Sequence, residues 1–93
     1  EAEQLGLVNR VLAPEQLMDH ARAYALDLAA NCSPASMATM KGQVYADMTR
    51  ELPEAIGDAD RLMLASFEAP DFVEGVNSFL ERREPHFAAL GTT

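Results

Sequence analysis

From residue 14 onward, apolar positions recur along this chain at spacings of three and four. Leu17, Ala21, Tyr24 and Leu28 form one such stripe, widened by Met18, Ala25 and Ala29, and the pattern predicts an amphipathic helix. Pro14 and Glu15 open it, with proline at a first helical position and an acid in the first turn, and Asn31 is expected to end it. Ser33-Pro34 then reads as an N-cap followed by a first-turn proline. The second helix places Met37, Met40, Val44 and Met48 along one side. Leu52-Pro53-Glu54 starts a third, with the stripe Leu52, Ile56, Ala59, Met63 and Phe67. Ala69-Pro70-Asp71 starts a fourth, which carries Phe72, Val76, Phe79 and Leu80 on one face. Asp71 and Glu74 are placed in its first turn and Arg82 and Arg83 in its last, as the helix dipole favours, before Pro85 stops it. The tail HFAALGTT is expected to fray, with Phe87 tucking back.

Before residue 14 the pattern changes. EAEQLG reads as the last turn of a helix closed by Gly6, and LGLVNRV, Leu5 to Val11, reads as a short strand. Nothing else in the sequence reads as a strand. A lone strand leaves backbone N–H and C=O groups without a ladder, so its partner is expected outside these residues. The fold class is therefore mainly α: one short N-terminal strand and about four helices.

Composition narrows the function classes. The 93 residues allow one domain at most, and 48% hydrophobic with 24% charged residues is ordinary for a globular chain. A formal net charge of -8 opposes general binding to nucleic acid or an anionic membrane, because phosphates are repelled. The apolar runs are too short to span a bilayer and no signal peptide is visible. The single cysteine, Cys32, excludes an internal disulfide and fits a reducing cytosol. The chain begins EAEQ rather than with Met, which suggests a processed chain or a piece of a longer one.

Candidate chemistry is sparse. His20 and His86 have no second ligand at metal-binding spacing, so no metal site is expected. Cys32 has no neighbouring histidine in sequence and reads as a small loop residue. The nine glutamates and six aspartates fall mainly on polar faces and helix starts, which reads as a solvated surface rather than as paired carboxylates for acid–base work. The methionines lie on helical stripes and read as core or subunit-interface packing rather than a binding groove. There is no glycine-rich phosphate loop and no nucleophile elbow. The exception is FLERREPHF, Phe79 to Phe87, which places Arg82 and Arg83 together in an acidic chain. Dipole compensation explains that pair. An arginine fork on a phosphate is the functional alternative.

Read in order, the landmarks are A-x-x-L-G-L-V-N-x-V from Ala2 to Val11, P-E-Q-L from Pro14, S-P-A-S-M-A-T-M-K from Ser33 to Lys41, and D-F-V-E-G-V-N-S-F-L-E-R-R-E-P-H-F from Asp71 to Phe87. Together they resemble the C-terminal third of the enoyl-CoA hydratase/isomerase (crotonase) family. That resemblance implies that residues 1–12 end a ββα-spiral core, and that residues 13–93 form a helical cap and oligomerisation subdomain. It implies an acyl-CoA substrate, a core absent from these residues, and a homo-oligomer, a trimer or hexamer, in the cytoplasm. No separate cofactor is implied, since coenzyme A enters as part of the substrate. The family's oxyanion hole, a pair of backbone N–H groups that polarise the thioester, lies in the core, as do the hydratase glutamates. No catalytic residue is carried over, and these 93 residues alone are expected to be inactive. Glu74 and Glu81 match structural positions, and Lys41 matches a frequent lysine without an assigned role. The resemblance assigns coenzyme A contacts to Arg82, at its phosphate or adenine end, and to Met63, where methionine stacks less well than an aromatic ring. A free-standing acidic helical interaction module is the alternative. It accounts for the charge and the helices but leaves the strand unexplained. An acyl-carrier-like bundle would need an Asp-Ser-Leu attachment site, which is absent.

Overall fold

Four helices follow one another in a computed structural model that describes residues 1–91: α1 (Pro14–Asn31), α2 (Pro34–Asp47), α3 (Leu52–Phe67) and α4 (Pro70–Glu81). Each has proline at its first or second position, where the missing N–H has no intrahelical partner to lose. Ser33 caps α2, its side-chain oxygen accepting from the Ser36 N–H at 3.2 Å. The tail read as frayed includes Thr92 and Thr93, which lie outside the described residues.

The strand read at Leu5–Val11 is not formed; the segment is a turn and bend, and no strand occurs among the described residues. The reason is that no second strand is present to complete a ladder. Its groups are satisfied locally instead. Leu7 N–H donates to the Ala2 carbonyl at 2.9 Å and Gly6 N–H to the Glu3 carbonyl at 3.1 Å, with Gly6 left-handed at φ 76°. That is the two-bond closure of a helix end, so Gly6 has the capping role read from the sequence. Val11 N–H donates to the Glu3 carboxylate at 2.8 Å.

The helices do not enclose a core. Among the described residues no hydrophobic side chain is buried, and Ser78 is the only buried residue. The radius of gyration is 16.8 Å, against about 12 Å for a compact chain of this length. The most extensive helix contact is between α2 and α3. The stripe read on α3 remains largely in solvent, including Ile56, Met63 and Phe67, while Ala55, Asp58 and Leu62 are the half-buried positions. Phe79, expected to pack on α4, is 82% exposed. The periodicity therefore marks faces this chain does not itself cover. Local ties set the angles between helices. Phe67 and Phe72 meet edge to face with ring centroids 5.3 Å apart at the α3–α4 corner. Arg50, after α2, pairs with Asp47 at 2.6 Å and with Asp58 of α3 at 2.9 Å, and Arg61 also pairs with Asp58.

Candidate functional site

An open cleft of ≈ 870 Å³ lies between α2, α3 and α4. Thr39 and Met40 come from α2, Leu62 and Met63 from α3, and Phe72 and Val76 from α4. Phe87 forms one wall. Its ring folds back over Gly75, where an added Cβ would stand 4.0 Å from the ring's Cε1. The tail thus tucks as the sequence suggested. At one end the Ser33 hydroxyl donates to the Asp71 carboxylate, joining the N-terminus of α2 to that of α4. The walls are mostly apolar, and the groups that reach them do not form a catalytic set. Cys32 is a free, half-buried thiol beside the cleft's end, and no group of three histidine, cysteine, aspartate or glutamate side chains converges among the described residues.

Met63 lines this cleft, but Arg82 does not. The two residues assigned to coenzyme A are therefore not brought to one cavity within this chain. Arg82 lies past the end of α4, not in its last turn, because the helix stops at Glu81. It caps the helix in the left-handed conformation, φ 56° and ψ 44°, and it is the one non-glycine residue with positive φ among those described. For an L-residue that geometry costs about 1–2 kcal/mol.

The residues around Arg82 explain why it is held there. Arg83 N–H donates to the Ser78 carbonyl at 3.0 Å and Arg82 N–H to the Phe79 carbonyl at 3.3 Å, the same closure Gly6 makes near the start of the chain. This turn brings the Arg83 side chain back along α4. Its Nη1 and Nη2 donate to the two Glu74 carboxylate oxygens at 2.6 and 3.1 Å, and its Nε donates to Glu81 at 2.6 Å. The His86 N–H donates to the same Glu74 carboxylate at 2.9 Å. The Arg83 fork, and after it the His86 N–H, hold the Glu74 carboxyl down at about 2. Arg82 itself makes no ion pair among the described residues and is exposed. Of the two adjacent arginines, one is consumed by the fold and the other is left available to an anion.

The sequence reading missed this clasp. Glu74 and Arg83 are nine residues apart, beyond the three- and four-residue reach of helical ion pairs, and only the left-handed turn at Arg82 brings them together. The one available signal was the FLERREPHF run itself.

Known proteins share this chain's sequence and its helix arrangement. The enoyl-CoA hydratase/isomerase family profile matches residues 1–89. A probable enoyl-CoA hydratase of Rhodobacter capsulatus is 36% identical over 94% of this chain and 34% of its own length. A crystal structure of a probable enoyl-CoA hydratase/isomerase from Mycobacterium abscessus superposes with a TM-score of 0.87 at 30% identity, over 95% of this chain and 36% of that one. An enoyl-CoA hydratase structure from Mycobacterium smegmatis gives a TM-score of 0.76 at 36% identity, over 92% and 33%. The chain thus spans about a third of the length of the relatives it matches. The open spread of the four helices, which no internal core explains, is the spread they have in a much longer protein. With landmark motifs, helix order and helix placement in agreement, this chain belongs to the enoyl-CoA hydratase/isomerase family and corresponds to its helical C-terminal part.

Proposed function

We propose that these helices serve an acyl-CoA hydratase or isomerase in two ways: they carry contacts between subunits of a trimer or hexamer, and they close one side of the acyl-CoA site. Residues 1–12 then belong to the end of the catalytic core, and residues 13–93 to the assembly cap. The oxyanion hole and acid–base groups lie in that core, so the 93 residues alone have no activity. Arg82 contacts the phosphate or adenine end of coenzyme A and Met63 lines the apolar approach, with no cofactor besides the substrate's own coenzyme A. A cytoplasmic site of action goes with this reading. No helix among the described residues is long and apolar enough to cross a membrane.

The observation that carries the reading is the absence of any buried hydrophobic residue in helices that superpose closely on a longer hydratase/isomerase chain. Faces this apolar need a cover, and large exposed apolar patches mark interfaces. The same observation disfavours the free-standing acidic module, which would have to bury a core of its own.

The test is hydration of crotonyl-CoA, followed by loss of the enoyl absorbance. The 93-residue chain alone is expected to give no turnover. A chimera in which these residues replace the corresponding third of the Rhodobacter capsulatus relative is expected to assemble and turn over. Activity of the 93 residues alone would sink the proposal, and a chimera that is soluble and folded but monomeric would remove the assembly role.

A further inference from the structure

This chain makes the same two-bond helix closure twice, and the residue in the left-handed position differs. Near the start it is Gly6 at φ 76°, which adopts that conformation without steric cost. After α4 it is Arg82 at φ 56°, which does not. A bulky residue persists in this region only where its surroundings over-determine it. Here the surroundings are the clasp: the Glu74 carboxylate takes both terminal nitrogens of Arg83 and the backbone N–H of His86, so it grips the chain on the far side of Arg82. Arg83 Nη1 also donates to the Glu84 carbonyl at 3.1 Å, and its Nε to Glu81. Every nitrogen of the Arg83 guanidinium has a partner within the chain, and the neighbouring guanidinium is the one left over.

We propose that Glu74 is a positioning residue for Arg82: by clamping Arg83 and His86 it fixes the left-handed turn and presents the Arg82 guanidinium to an anionic phosphate at the end of α4. The inference rests on the reading of Arg82 as a coenzyme A contact and adds the residue that makes the contact preorganised. Glu74 never touches the ligand. It acts through backbone conformation, so losing it reduces the fraction of molecules with Arg82 in place and weakens binding by that fraction. The lowered pKa of Glu74, about 2, agrees with a clamp that stays charged under ordinary conditions.

The experiment uses the protein as its gene encodes it and titrates coenzyme A and dephospho-coenzyme A calorimetrically. Arg82→Gly keeps the left-handed turn and removes the cation; Glu74→Gln keeps the shape and removes the clamp's charge. Each is expected to weaken coenzyme A binding by about five- to tenfold, the scale on which one disfavoured backbone conformer is depopulated. Neither is expected to change dephospho-coenzyme A binding, and the double variant should bind no more weakly than Arg82→Gly alone. Arg83→Lys, which keeps the charge but not the fork, should follow Glu74→Gln and gives a second route should that variant fold poorly. If Arg82→Gly leaves coenzyme A binding unchanged, the phosphate contact is wrong and the positioning role falls with it. If Arg82→Gly weakens binding while Glu74→Gln and Arg83→Lys do not, the contact stands and the positioning role is overturned. Losses that multiply in the double variant also overturn it, because Glu74 then acts independently of Arg82, and losses equal for both ligands overturn the assignment of Arg82 to the phosphate that dephospho-coenzyme A lacks.

Discussion

On their own, these 93 residues should show helix but no cooperative unfolding transition. The magnitude follows from its surface. The accessible area is 7977 Å², whereas a compact monomer of 10.1 kDa exposes about 5,300 Å². The excess is therefore about 2,700 Å² on the same scaling. Somewhat over half of a protein's surface is apolar, so about 1,500 Å² of apolar area is left in water that a compact fold would bury. At ~25 cal/mol per Å² this is up to about 35–40 kcal/mol of forgone stabilisation, an upper bound because denatured chains are themselves partly collapsed. Net domain stability is only about 5–15 kcal/mol, so a fraction of that shortfall suffices to abolish a stable tertiary fold. Helices of 18, 14, 16 and 12 residues are marginal in water without tertiary support. The assay is guanidinium unfolding followed by far-ultraviolet circular dichroism and by the near-ultraviolet signal of Tyr24 and Tyr45, with a hydrophobic dye as a third probe. Expected are a shallow, non-sigmoidal loss of helix, little near-ultraviolet signal and strong dye binding. A single sigmoidal transition coincident in both spectra, with little dye binding, would refute the reasoning, since it would require a core that these helices do not form.

Three further outcomes are expected. Phe79→Ala should leave the helix content of the 93 residues alone unchanged by circular dichroism, because the ring is 82% exposed there, yet cost about 3–5 kcal/mol in the protein as its gene encodes it if the ring is fully covered; no measurable cost in the latter would mean this face stays in water. Ser33→Ala removes the α2 cap and the hydroxyl that joins it to Asp71, and should cost about 1 kcal/mol by denaturant unfolding of the whole protein; an unchanged midpoint would count against the cap. Glu74 is held at about 2, below its ordinary 4.5, so the clasp's contribution is fully present above pH 4.5 and is lost as pH falls through about 2. The His86 amide resonance should accordingly keep its clasped position at pH 4 and move only on further acidification, and movement centred near pH 4.5 would contradict the clasp.

What the sequence by itself determined is local. Prolines at the helix starts, the Ser33 cap and Gly6 are short-range devices whose physics is complete within a few residues, and each was legible without coordinates. The stripes on α2, α3 and α4 were legible too, as faces that need covering. Periodicity names an apolar face but not what lies against it, so it could not tell that Met63 would border an open cleft or that Phe79 would stay in solvent. The strand at Leu5–Val11 failed for a related reason: β-structure is a property of pairs, and the sequence of one partner cannot supply the other's hydrogen bonds. At the candidate site the run of two arginines was visible, but their division of labour was not. Only the left-handed turn at Arg82, closed by Ser78 and Phe79 carbonyls and held by the Glu74–Arg83 pair nine residues apart, brings Arg83 back onto α4 and leaves Arg82 without an ion pair among the described residues. The tertiary structure decided that because one residue's φ and ψ, both reversed in sign from the helical values, change which side chains can meet.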